Sequence, residues 1–392
     1  VAVFYHNNSP YPLSPELFAK LCMDNTAKIR VSSLGRARPW LFEAFPALRQ
    51  HVPWTPLVNA PTPVQPLERI SARLGREIWI KRDDKTSPLY GGNKARKLEF
   101  ILGEALAQGR KALITGGGLG TNHGLATAIF GKKLHFRVLL GLFDQPVTAH
   151  VRKNLLLFHA NGAEIRYVGS LINAIFRYYV IERFRRPGSY FIPPGGSSAL
   201  GTLGYVDAGL ELAMQVEQKV LPLPRMIFLA AGTCSTTAGL ILGLRLAGLT
   251  PRVIGVQVAP RPFANPKTVL RLACKALRKL KRHDQSVPQV KLGLSDAPIE
   301  RGHYGPGYGV PTDAGRAAIQ FMAENEGIPL EPTYTGKAFG ALLDSVKSGS
   351  SRGPVLFWNT FNSVDLSSTA DNVRFHVLPQ EFHRFFQDDV VE

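Results

Sequence analysis

From residue 77 to residue 258 the chain alternates short apolar runs with glycine- or hydroxyl-rich turns, and apolar positions at helical spacing follow the turns. Residues 77–81 (EIWIK) alternate and are β-rich, which predicts a strand. Residues 112–115 (ALIT), 136–142 (FRVLLGL), 163–168 (AEIRYV), 226–231 (MIFLAA) and 253–258 (VIGVQV) predict further strands, the last two reading as buried. Between them Leu98, Ile101, Leu102 and Leu106 recur at helical spacing, and residues 124–130, 150–160, 171–184, 208–220 and those from Ala238 onward are helix candidates. This alternation predicts an α/β chain with parallel sheets.

Breaks in the pattern suggest a domain plan. Residues 1–50 are loosely patterned, with short helix candidates at 15–22 and 40–49. Residues 25–40 carry Arg and Ser without acids, as transit peptides do, but Glu16 and Asp24 lie just upstream; the segment reads as part of an N-terminal extension packed on the main body. The proline-rich stretch 51–67 (HVPWTPLVNAPTPVQPL) reads as an extended lead-in. Residues 101–196 are expected to form a small α/β domain inserted in a larger one made of 51–100 and 197–392, with the Pro- and Gly-rich stretch 190–204 as the return.

Two turns carry candidate chemistry. Gly91, Gly92 and Asn93 lead into a helix whose first turn holds Lys94. The positive end of a helix dipole disfavours an ammonium there and favours a neutral amine, which is a nucleophile toward carbonyls; the plainer reading is a surface lysine after a glycine turn. Residues 232–237 place Gly232, Thr233, Cys234, Ser235, Thr236 and Thr237 between a strand and a helix start, where free N–H groups favour a phosphate, although an ordinary N-cap has the same composition. A third group is Thr121, Asn122 and His123, the last read as a structural histidine. Tyr308 sits between glycines, and Tyr334 is expected at the end of a β segment.

The chain has 392 residues, 45% of them hydrophobic, enough for a large core or two domains sharing a cleft. It has no run of about 18 apolar residues that would span a membrane. Cys22, Cys234 and Cys274 have unrelated spacings and predict neither a disulfide framework nor a metal site; a reducing, cytoplasmic setting is expected, with organellar targeting left open. The net charge of +18 raises the prospect of an anionic partner. No nucleic-acid motif accompanies the basic clusters at 183–186 and 275–282, so they read as solvated faces.

IKRDD followed by GGNKARKLEF resembles the signature of the fold-type II pyridoxal-phosphate enzymes that include D-cysteine desulfhydrase and 1-aminocyclopropane-1-carboxylate deaminase. The resemblance extends in blocks over roughly residues 50 to 340 and includes IPPGGS. It implies a tryptophan synthase β-like fold, two open parallel-sheet domains with pyridoxal 5'-phosphate in the cleft. Lys94 would hold the cofactor covalently, Asn122 would bond its phenolic oxygen, and Gly232, Thr233, Cys234, Ser235 and Thr236 would cradle its phosphate. Thr121 would reach the substrate carboxylate or assist proton transfer, and Tyr308 and Tyr334 would stack near or act upon the substrate. Cys234 stands where relatives usually have glycine, so a left-handed backbone there would be strained, and Gly120 stands where glutamine is common. Thr335 stands where the ring-opening deaminases have a glutamate facing the pyridine nitrogen. A neutral hydroxyl gives a weaker electron sink, which favours α,β-elimination.

The expected function is therefore a lyase acting on a small amino acid, D-cysteine first, with L-cysteate or the cyclopropane substrate as alternatives. A homodimer is implied by the resemblance. The alternative of another class is a basic binding protein that keeps the fold without turnover.

Overall fold

A computed structural model describes residues 38–170, 182–350, 353–387 and 389–390. The helix candidate at 15–22 and segment 25–37 lie outside these residues, as does nearly all of the candidate at 171–184. Among the described residues ten strands form two sheets. They are β1 (Val64–Pro66), β2 (Ile78–Lys81), β3 (Ala112–Gly118), β4 (Arg137–Phe143), β5 (Glu164–Gly169), β6 (Ser189–Phe191), β7 (Met226–Ala231), β8 (Arg252–Gln257), β9 (Ile299–Glu300) and β10 (Val355–Trp358). The longer helices are α1 (Asn93–Ala107), α2 (Asn122–Lys133), α3 (Ala149–Ala160), α4 (Ala199–Glu217), α5 (Ser235–Leu246), α6 (Pro266–His283), α7 (Asp313–Glu326) and α8 (Thr335–Lys347).

The larger sheet runs β1-β2-β10-β7-β8-β9 and the smaller β5-β4-β3-β6. All neighbours are parallel except β1, which pairs antiparallel with β2 and carries Pro66 at the sheet's edge, where the missing N–H costs no ladder bond. Every residue of β7 and β10 is buried, as expected of parallel strands covered on both faces. One core lies between the larger sheet and α4, α5 and α6, with Leu41, Phe42 and Leu48 from the N-terminal side joining it. A second lies on the sheet's other face under α7 and α8. The smaller sheet has its own core with α1, α2 and α3, to which Ala370, Leu378 and Phe382 of the C-terminal segment contribute. Helices α4 and α5 touch backbone to backbone: a Cβ on Gly239 would lie 2.4 Å from Thr202 O.

Some boundaries differ from the sequence expectation. The candidate at 208–220 is the end of a longer helix that begins at Ala199, where Ser198 Oγ accepts from Gly201 N at 3.0 Å. The candidate at 40–49 is split into Trp40–Ala44 and Leu48–His51 around Pro46. Gly116, Gly117 and Gly118, read as loop, extend β3 in register with Gly141, Leu142 and Phe143. Their hydrogen bonds to β4 decide the conformation, and a Cβ on Gly116 would lie 2.9 Å from Gly141 O. Among the described residues no helix is long and apolar enough to cross a membrane.

Candidate active site

A cavity of about 400 Å³ opens where β3 and β7 end and α1, α2, α5 and α8 begin. Lys94, Thr121, Asn122, Gly232, Thr233, Cys234, Thr236, Tyr308, Tyr334 and Thr335 all line it. Ser235 does not; it is fully buried and takes a hydrogen bond from Ser197 Oγ at 2.9 Å.

Lys94 owes its place to the turn before it. Gly92, at φ +86°, caps α1, and a Cβ there would lie 2.7 Å from Thr360 O. Gly92 N donates to Asp83 O at 2.8 Å and Gly91 N to Asn362 Oδ1 at 2.7 Å, so the turn is tied to the segments that follow β2 and β10. Lys94 Nζ donates to Asn93 Oδ1 at 2.8 Å. Burial lowers its amine to about 8, against the opposing pull of Glu331. Lys94 is half-buried and faces the cavity rather than an open surface.

The loop before α5 faces the same cavity. Cys234 adopts φ +67° and ψ −7°, the left-handed conformation that makes a side chain there costly. Its thiol is buried, 3.3 Å from Phe263 O, and burial pushes it up to about 11. Asn93 Nδ2 donates to Thr236 Oγ1 at 3.0 Å, tying this loop to the Lys94 turn. Lys97, one helical turn beyond Lys94, lines the cavity, buried, with Nζ 3.3 Å from Gly195 O. Burial, and next Lys94, hold its amine well below the usual lysine range, and among the described residues no carboxylate pairs with it. The sequence reading missed Lys97, although its i, i+3 spacing from Lys94 on a helix is a signal.

At the start of α2, Thr121 Oγ1 accepts from Gly124 N at 3.2 Å, which leaves its hydroxyl proton free for a ligand. Asn122 Oδ1 lies 3.0 Å from His150 Nε2. His123 is buried with no partner for either ring nitrogen among the described residues, and burial, then Lys94 and Lys97, hold it well below the usual histidine range.

On the opposite wall Tyr308 Oη and Tyr334 Oη are 2.7 Å apart, their rings meeting edge to face. Burial raises both phenols. Tyr334 does not end a strand as expected: it is the residue before α8, and the apparent β pattern is a turn closed by Glu331. Glu331 accepts from the backbone N–H groups of Thr333, Tyr334 and Thr335 at 2.7 to 2.9 Å, the role of a helix-capping carboxylate. Burial nevertheless raises its carboxyl above the ordinary value. Thr335 Oγ1 lies 3.3 Å from Glu331 Oε1, so the hydroxyl expected to stand alone has a carboxylate beside it. Sequence reasoning missed Glu331 and also the cavity-lining Tyr90, whose buried ring nothing in the local pattern marks.

Two depressed amines one turn apart on α1, the second without a carboxylate partner among the described residues, and near them a helix N-terminus with hydroxyls suit a ligand that joins an aldehyde to a phosphate. Comparison with known proteins agrees. The chain is 37% identical over 315 residues to D-cysteine desulfhydrase of Salmonella newport, covering 78% of this chain and 92% of that one. The enzyme of the same name from Klebsiella pneumoniae matches at 37% over 316 residues, with the same coverage. A crystal structure described as an ACC deaminase homologue superposes with a TM-score of 0.70 at 32% identity, covering 83% of this chain and 96% of that one. A hydrogen sulfide-producing enzyme from Fusobacterium nucleatum, 15% identical with a TM-score of 0.54 over 78% of this chain and 97% of that one, shares the fold. Residues 56–360 match the family model described as pyridoxal-phosphate dependent enzyme, and with that match the chain belongs to the pyridoxal-phosphate dependent enzymes, in their fold-type II branch.

Proposed function

We propose that this enzyme is a lyase that converts D-cysteine and water to pyruvate, hydrogen sulfide and ammonia. The observation that carries the reading is the placing of Lys94, with its lowered amine, in one cavity with the Tyr308–Tyr334 pair. The named activity of relatives 37% identical over most of their length supports the choice of substrate.

Lys94 would hold pyridoxal phosphate through Nζ, Asn122 would bond its phenolic oxygen, and Gly232, Thr233, Cys234 and Thr236 at the start of α5, backed by the buried Ser235 and together with Lys97, would hold its phosphate. Bound there, the cofactor supplies an electron sink for the pair of electrons left when the substrate's α-proton departs. The Lys94 amine would be the base for that proton, because an amine lowered to about 8 accepts and returns protons near neutral pH. Thr121 has a hydroxyl proton to spare and is placed to orient the substrate carboxylate. In a pair of phenols 2.7 Å apart one donates to the other, and the accepting phenol keeps its own proton available. That proton goes to the sulfur as the Cβ–S bond breaks. Thr335, beside Glu331, is assigned to the pyridine nitrogen.

The carboxylate of Glu331 beside Thr335 also gives the cyclopropane ring-opening reading an observation in its favour, since it deepens the sink that a lone hydroxyl would leave shallow. Pyruvate release from purified, cofactor-loaded protein, with D-cysteine, L-cysteate and 1-aminocyclopropane-1-carboxylate offered separately, decides between them. Turnover of D-cysteine with sulfide released in equal amount is the expected result. Turnover of the cyclopropane substrate alone would overturn elimination as the reaction, and silence on all three with salt-sensitive binding of nucleic acid would favour the non-enzymatic alternative. The proposal extends to a homodimer in the cytoplasm, to be checked by light scattering and cell fractionation.

A further inference from the structure

The carboxamide of Asn122 is held from behind by residues that no other step of the mechanism uses. Its Oδ1 lies 3.0 Å from His150 Nε2, 3.3 Å from Asn154 Nδ2 and 3.4 Å from Tyr90 Oη. His150 and Asn154 are one turn apart on α3, on the face that meets α2. Asn154 is 2% exposed, and its Nδ2 also donates to Gly120 O at 2.8 Å.

The structure turns Asn122 Oδ1, not Nδ2, toward His150, Asn154 and Tyr90, each of which can donate to it. Asn154 Nδ2 has two protons, and the short bond to Gly120 O takes one of them. The other faces both Asn122 Oδ1 and His150 Nε2, the latter at 3.1 Å. If His150 Nε2 were the acceptor, Asn122 would have to turn its own NH₂ toward the fixed NH₂ of Asn154, and two donors would face each other at 3.3 Å. With Asn122 Oδ1 as the acceptor, as the structure places it, His150 Nε2 carries a proton and donates to that oxygen alongside Asn154 Nδ2, and the 3.1 Å between these two nitrogens is the approach of two donors that share one acceptor. Asn122 Nδ2 is then the free end of a carboxamide that cannot flip without loss.

We propose that Asn154 and His150 are positioning residues that lock the Asn122 carboxamide with its NH₂ toward the cofactor's phenolic oxygen. The proposal rests on the reading of Asn122 as the residue that bonds that oxygen. It makes α3 part of the cofactor site without contributing an atom to the cavity. It also gives a role to an exposed histidine in the first turn of α3.

Four variants test it: Asn122→Ala, Asn154→Asp, His150→Ala and His150→Gln. The readouts are the dissociation constant of pyridoxal phosphate, measured by fluorescence titration of stripped protein, and the position of the visible absorption band of the loaded protein. Asn154→Asp keeps the shape, replaces a donor by an acceptor and turns the Asn122 amide around, so cofactor affinity is expected to fall about tenfold, the worth of one hydrogen bond, with a band shift like that of Asn122→Ala. His150→Ala, a change at an exposed side chain that the fold tolerates, is expected to cost about threefold, and His150→Gln, which can donate from the same place, to restore the wild-type values. Wild-type affinity and band in both Asn154→Asp and His150→Ala, with Asn122→Ala altered, would overturn the positioning role alone. An unaltered Asn122→Ala would overturn the underlying reading of Asn122 and the positioning role with it.

Discussion

Lys97→Met separates a cofactor-binding cation from a structural one, because the two readings demand effects of different sign. Lys97 is buried, its Nζ reaches Gly195 O at 3.3 Å, and it faces the loop that opens α5. Burial, and next the neighbouring Lys94, hold its amine well below the usual lysine range. In the stripped protein this is a cost: the unfolded chain carries the proton that the folded chain binds poorly, so the penalty is present at neutral pH and fades only as pH rises toward the unfolded value. Methionine fills a similar volume without that penalty, so the stripped variant is expected to resist urea better than wild type. A bound phosphate reverses the sign, since a dianion restores the charge on Lys97. A hydrogen bond to a charged group is worth about 1.5 to 3 kcal/mol, which corresponds to a loss of roughly 10- to 100-fold in cofactor affinity. Titration of stripped protein with pyridoxal phosphate measures the second effect and urea unfolding of the same preparation the first. A destabilised stripped variant with wild-type cofactor affinity would refute the argument.

Four further outcomes are expected. Lys94→Ala abolishes the visible band of the covalently held cofactor, read by absorption spectroscopy after reconstitution; an unchanged band would remove Lys94 from its role. Glu211→Gln leaves the fully buried Lys81 and Arg96 with Asp83 as their remaining carboxylate and is expected to cost about 3 to 5 kcal/mol in urea unfolding. Burial opposes the charge on Glu211, but Arg96 and then Lys81 outweigh it and hold the carboxyl well below the ordinary range, so its contribution is present above the unfolded value and lost only in strong acid. Hydrogen bonding to Glu300, with Asp344 also facing it, raises His303; its contribution is full below the ordinary histidine value, is lost as pH rises through the raised one, and should vanish from the thermal-shift profile of His303→Gln. Cys234→Gly is expected to retain cofactor binding and change stability by less than about 1 kcal/mol, because the relief of a left-handed side chain offsets the lost thiol burial and the added backbone freedom; Cys234→Val, β-branched at the same φ, is expected to lose both stability and cofactor affinity.

What could be read from the sequence was local. The Lys94 turn and the 232–237 loop each consist of consecutive residues whose chemistry depends on a strand, a turn and a helix start, all visible in the pattern. The strain at Cys234 was legible only through the resemblance, since relatives usually have glycine at that position and the local pattern alone does not demand one. The Tyr308–Tyr334 contact was not, since it joins a glycine loop to the start of α8 across 26 residues. Tyr334 was misplaced because Glu331 caps the turn with its side chain, and capping by a residue four positions ahead resembles an extended segment in a hydropathy pattern. Tyr90 and Glu331 were missed because burial alone makes them informative, and Lys97 because its spacing from Lys94 gains meaning only once both are known to face a buried cavity. The same lysine on an exposed helix would be a solvated side chain.

The first half of α1 shows why pattern reading falls short here and what the fold gains. Asn93, Arg96, Lys97 and Glu99 are buried and Lys94 is half-buried, a polar run that would ordinarily mark a surface. Each face of the helix settles this differently. Arg96 points away from the cavity into Asp83 and Glu211, bonding both at 2.8 Å, while Lys81, Tyr205 and Trp358 complete the network. Glu99 accepts from Leu57 N and Val58 N at 3.1 Å, which fixes the lead-in segment against the helix. These side chains are satisfied by the protein and make α1 a rigid support. Lys94 and Lys97, on the cavity face, are left with one neutral oxygen each, Asn93 Oδ1 and Gly195 O. Two amines with depressed proton affinity, held by a helix whose other polar groups are already paired, are completed only by a ligand that offers one of them an electrophile and the other an anion.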